Sequence, residues 1–213
     1  MVPALRDAPP TDPREAAAAR LPRRDNRRQR LLDAAARQFR ERGYSAASMR
    51  DIAGNAGMLA GSAYYHFPSK EELLVAVHEE GIRRITGAVE RALLGLTDPW
   101  ARLEAAAAAH LEALLNGGDY AQVVIRDLPR DAEAVRPRLI GLRDAYEDIF
   151  RHLVADVPLP ADVDRRLLRL MLLGALNWSP RWYRAGGVPP TRLAQDFIAM
   201  LRRPLGPSQG ANR

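Results

Sequence analysis

The chain has no cysteine, which excludes disulfide scaffolds, thiolate zinc sites and cysteine nucleophiles together. It has a single lysine, Lys70, among 32 basic residues. A coding bias toward arginine and alanine accounts for the scarcity, and its effect is to make Lys70, close to Tyr64 and Tyr65, conspicuous. Long apolar runs are missing as well: the longest candidate, around Leu167 to Trp178, is interrupted by Arg169, whereas spanning a bilayer takes about 20 apolar residues. The first residues lack the apolar stretch of a secretion signal. A cytoplasmic protein without membrane association is expected.

Catalytic patterns are absent too. The four histidines, His66, His78, His110 and His152, are scattered; no HExxH or GxSxG occurs, and no glycine-rich phosphate loop follows a strand. No enzyme, metal site or cofactor is expected. What the chain does have is a formal charge of +6, which favours a polyanionic partner without fixing a fold. Its 213 residues suffice for one large or two small domains and can bury roughly 70% of the unfolded surface.

The pattern is all-α, with about nine helices. Residues 1–24 are rich in proline, alanine and arginine and read as a disordered leader; its basic end, Arg20, Arg23, Arg24, Arg27 and Arg28, is either an arm along DNA or a solvated tail. From Asp25 to Arg42, Leu31, Leu32, Ala35, Ala36 and Phe39 share one helical face. Ser48 and Asp51 form a capping box for a second helix reaching Asn55. Asn55-Ala56-Gly57 supplies a turn, Gly57 being free to take positive φ, and a third helix is predicted from Leu59 to His66. Ser69 and Glu72 cap a fourth, from there to about Gly95, with Pro68 preventing continuation of the third.

Five further helices follow. The fifth starts at Asp98-Pro99 and stops at Gly117-Gly118. The sixth covers Asp119 to Asp127; its Val123-Val124-Ile125 run suits a buried strand on propensity, but length and neighbours favour helix. The seventh spans Asp131 to Val154, the eighth Asp162 to Arg184, and the ninth runs from a Thr191 cap to Arg202. The domains are then 25–70 for a helix-turn-helix, 71–203 for a helical body, and 204–213 for a loose tail.

A recognition helix presents side chains to base edges while other groups hold phosphates and fix its register. Ser62 and Tyr65 are the candidate base readers, and Gly61 allows close backbone approach. Tyr64, His66 and Lys70 are candidate phosphate ligands, joined by Ser48 and Arg50 at the start of the second helix. One of the tyrosines could instead pack inward. Adjacent helical residues point about 100° apart, so both cannot be buried in one interface.

The run Gly61-Ser62-Ala63-Tyr64-Tyr65-His66-Phe67-Pro68-Ser69-Lys70-Glu71-Glu72-Leu73, following Met49-Arg50-Asp51-Ile52-Ala53, resembles the signature of the TetR family of transcriptional regulators. Leu59 departs from the serine that often caps the recognition helix in that family, which affects where the helix starts. The resemblance implies three N-terminal helices on a double-stranded DNA operator, C-terminal helices around a small-molecule effector, and a homodimer joined through the last two long helices. Leu176 to Gly187 and Ala121 to Asp127 are similar to a branch of the family, repressors of steroid catabolism among them, that responds to coenzyme A thioesters.

On that likeness, His110, Gln122, Arg126, Tyr146, Trp178 and Arg181 become candidate effector contacts. Leu170, Met171, Gly174, Ala175, Trp178 and Trp182 become candidate dimer contacts. Trp178 and Trp182 are open between dimer core and ligand contact, and Arg126, Arg181 and Arg184 between coenzyme A phosphates and surface ion pairs. The expected function is a ligand-released repressor on a pseudo-palindromic operator. A multidrug-sensing efflux repressor is the alternative within the family, and a non-specific DNA-coating protein the alternative outside it.

Overall fold

Four short polar side chains set helix starts. Ser48, Ser69, Asp98 and Asp164 each sit in extended backbone and accept a hydrogen bond from an amide two or three residues on, satisfying donors that a helix leaves open at its first turn. The computed structural model describes residues 23–184 and 186–202; the expectations for the leader before residue 23 and for the tail from residue 203 lie outside them. Among the described residues the helices are α1 (Arg23–Arg42), α2 (Met49–Asn55), α3 (Ala60–His66), α4 (Lys70–Leu93), α5 (Pro99–Asn116), α6 (Gly118–Val124), α7 (Arg136–Asp156), α8 (Arg165–Trp182) and α9 (Pro190–Arg202). None is long and apolar enough to cross a membrane.

The boundaries differ from expectation where local chemistry differs. The Asp51 carboxylate accepts from the Ser48 hydroxyl at 2.8 Å, and Glu72 pairs with Arg138 of α7 at 2.6 Å. Leu59 caps α3 without any side-chain hydrogen bond, so that helix begins one residue later than predicted. A single 3-10 turn, Glu133–Val135, precedes α7, and Pro137 lies in the first turn of α7, where its missing N–H costs little. Pro190 opens α9, which leaves Thr191 inside the first turn instead of at the cap. The Val123-Val124-Ile125 run lies at the end of helix α6, as length predicted.

Helices α1 to α3 and the start of α4 close around Leu31, Phe39, Ile52, Ala63 and Leu73, all buried. The cluster does not stop there. Tyr120 and Val123 of α6 and Leu139 of α7 belong to it, so this N-terminal head is seated on the body. The body has its own core, with Leu103, Leu111, Phe150, Leu176 and Ile198 fully buried. Two glycines shape the framework. Gly57 takes φ +68° in the turn between α2 and α3, where the Arg30 guanidinium donates to the Ala56 carbonyl at 2.6 Å. Gly81 lets α6 lie against α4, since a Cβ there would come within 2.6 Å of Val124.

Candidate DNA-binding face and effector cavity

The amphipathic pattern that buries Ala63 on the inner side of α3 leaves Gly61, Ser62, Tyr64 and Tyr65 on the outer side. Tyr65 is 68% exposed and Tyr64 52%, so neither ring is buried. The His66 ring stands edge-on to Tyr65 at 5.5 Å. A Cβ added at Gly61 would meet open space, which leaves room for close backbone approach. Ser48 and Arg50 are exposed at the start of α2. The Arg28 guanidinium, expected in a free arm, lies over the Phe67 ring at 4.9 Å.

Lys70 has partners that the sequence did not indicate. Its ammonium donates to the carbonyls of Tyr44 at 3.0 Å and Ala47 at 3.1 Å and lies over the Tyr44 ring at 4.2 Å. The Tyr44 hydroxyl in turn donates to Glu71 at 2.9 Å, and burial followed by that carboxylate raises its pKa. Two of the three ammonium donors therefore tie down the loop that leads into α2.

In the body, one cavity of about 130 Å³ is lined by side chains from five helices and the residue after α6. Helical spacing assembles it: Ile82 and Ile85, His110 and Leu114, Arg143 with Tyr146 and Glu147, and Leu173 with Asn177 are pairs or triples three or four residues apart that project from one face. Val124 and Ile125 complete it. His110 is buried, with Nδ1 2.6 Å from the Tyr146 hydroxyl and Nε2 3.0 Å from Asn177 Oδ1. The carboxamide oxygen can only accept, so Nε2 carries the proton and Nδ1 accepts from Tyr146. Burial pushes the His110 pKa down to about 4, against the opposing effect of its hydrogen bond to Asn177, and the ring is neutral at pH 7.

Of the expected effector contacts, His110 and Tyr146 line this cavity, and four others do not. Gln122 turns its amide to the Leu114 carbonyl at 2.9 Å. Arg126 donates to the Phe39 carbonyl at 3.1 Å and borders a second cavity, between head and body, together with His78. Trp178 is 61% exposed, with the Arg181 guanidinium 5.2 Å from its ring. The outward half of α8 holds them both, because Leu172, Leu173 and Leu176 take the inward half. Sequence reasoning missed Asn177, Arg143, Glu147 and Ile82 as wall residues. Asn177 carried a signal, a polar side chain four residues after inward-facing Leu173.

The outward half of α8 carries the expected dimer residues. Leu170, Met171, Trp178 and Trp182 are exposed, Gly174 lies among them with open space where its Cβ would be, and Ala175 is half-buried beside it. Leu167 extends the stripe, and Trp182 meets Phe197 of α9 edge-on at 6.4 Å. An apolar stripe of this length on one helix marks an interaction surface.

The head and the cavity meet at α6. The Tyr120 hydroxyl donates to Asp33 of α1 at 2.8 Å and accepts from Gln29 at 3.1 Å, and Arg40 of α1 pairs with Asp119 at 2.5 Å. Four and five residues beyond Tyr120, Val124 and Ile125 reach the cavity.

Residues 31–77 match the family model described as bacterial regulatory proteins, tetR family, and residues 96–205 match the tetracyclin repressor-like C-terminal domain. The chain is 33% identical over 194 residues to the HTH-type transcriptional repressor KstR2 of Mycolicibacterium smegmatis, covering 87% of this chain and 93% of the relative. The solved structure of the ketosteroid transcriptional regulator KstR2 of Mycobacterium tuberculosis superposes with a TM-score of 0.67 at 26% identity, covering 82% of this chain and 92% of that one. AibR, solved with isovaleryl coenzyme A and operator DNA, shares the fold, with a TM-score of 0.69 at 23% identity over 82% of this chain and 97% of that one.

Proposed function

Because the chain belongs to the TetR family of bacterial DNA-binding regulators, which are transcription factors and not enzymes, we propose that it is a homodimeric cytoplasmic repressor of a pseudo-palindromic operator. A small effector, an acyl-coenzyme A or related thioester, fills the His110 cavity and releases the DNA. The observation that carries this reading is the double engagement of α6, which with the following Ile125 forms part of the cavity wall through Val124 and holds α1 through Tyr120.

In this scheme Ser62 and Tyr65 read base edges in the major groove, while Tyr64, His66, Ser48 and Arg50 hold phosphates. Gly61 leaves room for the DNA backbone. Lys70 acts mainly by fixing the loop before α2, with its third N–H directed to phosphate. The exposed stripe Leu170, Met171, Gly174, Trp178 and Trp182, with Ala175, closes against its copy about a two-fold axis, as isologous dimers do. Two heads then face half-sites about one helical turn, or a multiple, apart. An effector changes that geometry only to the extent that it binds the two conformations unequally. Arg143, at the cavity wall, supplies a cation for the phosphate-bearing part of a thioester, and Asn177 an amide for its carbonyl.

Selection of binding sites from random duplexes at physiological salt tests the reading directly. A recovered inverted repeat, released by acyl-coenzyme A in an anisotropy titration, is the expected result. Binding indifferent to sequence would make the protein a DNA coat. Release by hydrophobic drugs and free acids, with no response to thioesters, would make it a drug sensor.

A further inference from the structure

The cavity is specific about size. At about 130 Å³ it compares with an engineered protein cavity of roughly 150 Å³ that holds benzene, six carbons, and falls well below the roughly 300 Å³ at which pockets for drug-sized ligands begin. Its walls at Ile82, Ile85, Leu114, Val124 and Leu173 are apolar. Of its polar lining, His110, Tyr146 and Asn177 form one connected chain, and the charged Arg143 and Glu147 stand apart from it.

That chain leaves a defined vacancy in hydrogen bonding. The Tyr146 proton goes to His110 Nδ1, and the His110 Nε2 proton goes to the Asn177 oxygen. What is left to donate into the cavity from these three is the Asn177 amide, an NH₂ with two protons. It suits a neutral acceptor such as a carbonyl oxygen. A carboxylate would meet both signs of charge here, the Arg143 guanidinium and the Glu147 carboxylate, the latter already engaged by Arg169 at 2.6 Å.

We infer, on the reading of this cavity as the effector site, that it admits a short acyl chain of about four to six carbons with its thioester carbonyl on Asn177, and that it refuses fused-ring and long-chain acyl groups. The inference separates this chain from its relatives named for ketosteroid regulation: similar sequence, smaller ligand. The rest of the effector lies outside, past Arg143 and the exposed edge of Asn177.

Calorimetric titration of the full-length protein tests it, with butyryl, hexanoyl and decanoyl groups presented in two series, as coenzyme A thioesters and as N-acetylcysteamine thioesters. The expected result is binding of the two short groups about tenfold or more tighter than decanoyl, in either series. No short-over-long preference in either series, including no binding at all, overturns the inference. Short-chain preference among N-acetylcysteamine thioesters with no binding of any coenzyme A thioester keeps the inference and removes coenzyme A from the proposed function. Two substitutions probe the parts: Ile125→Ala, which cuts back a half-buried wall residue, moves the preference toward decanoyl, and Asn177→Leu weakens hexanoyl binding about tenfold. Unchanged hexanoyl affinity in a folded Asn177→Leu protein overturns the carbonyl assignment.

Discussion

Acidification isolates His110. Its folded pKa of about 4 stands below its ordinary 6.5 because burial opposes the charged ring, so between those values the unfolded chain binds the proton and the folded chain does not. The sign follows: this contribution is complete above about pH 6.5 and is lost as pH falls toward 4. At 1.36 kcal/mol per pKa unit, the loss from His110 comes to about 1 kcal/mol by pH 5.5 and roughly 2–3 kcal/mol by pH 4.5. His78, also buried with a lowered pKa, adds to the same limb, so wild type alone does not separate them. The informative comparison is wild type against His110→Gln in urea unfolding at several pH values from about 7.5 to 4.5 and one fixed protein concentration. The variant is less stable at neutral pH but loses less on acidification, by roughly the 2–3 kcal/mol above. Parallel pH profiles for the two proteins would falsify the neutral, buried assignment of His110.

The remaining expectations concern the head, the junction and the dimer face. Tyr120→Phe, which removes the hydroxyl shared by Asp33 and Gln29, lowers the coupling between effector and DNA by about tenfold while leaving effector affinity of the DNA-free protein near wild type; calorimetry with and without operator reads both. Tyr65→Ala weakens operator binding by roughly 1–3 kcal/mol and barely changes binding to random duplex, and a uniform loss across sequences would reassign Tyr65 to phosphate. Lys70→Met lowers the melting temperature, because two carbonyls lose a charged donor at a cost of roughly 1–3 kcal/mol. An unchanged melting temperature with a salt slope reduced by about one phosphate would return Lys70 to the DNA backbone. Light scattering is expected to give a dimer for wild type and a monomer for Met171→Glu, and a dimeric variant would move the interface off the α8 stripe.

Helix starts were legible because capping is local: Ser48, Ser69 and Asp98 accept from amides three residues away, and sequence spacing contains that information. The outward face of α3 was legible for the same reason, since periodicity that buries Ala63 must expose Ser62 and Tyr65. Lys70, a cation in the first turn of a helix after a tyrosine pair, matches a phosphate ligand, but no local spacing could show its two carbonyl partners, which lie 23 and 26 residues back in a loop. The cavity was half legible. His110 and Tyr146 stand out as polar residues on apolar faces. The register of α6 and α8 against α4 and α5, which turns Gln122 and Trp178 away and brings Asn177 in, depends on packing contacts such as Gly81 against Val124.

Helix α4 has the geometry of a lever between the cavity and the recognition helix. Its first residue, Lys70, follows the recognition helix after only Phe67, Pro68 and Ser69, and its cavity residue Ile85 lies 15 positions further on, about 22 Å at 1.5 Å per residue. Rotating that rigid arm by about 9° around Ile85 displaces its DNA end by about 3.4 Å, the rise of one base pair. Under the proposed function, a ligand of a few carbons thereby has enough leverage to put a recognition helix one step out of register, with no change to any residue assigned to DNA.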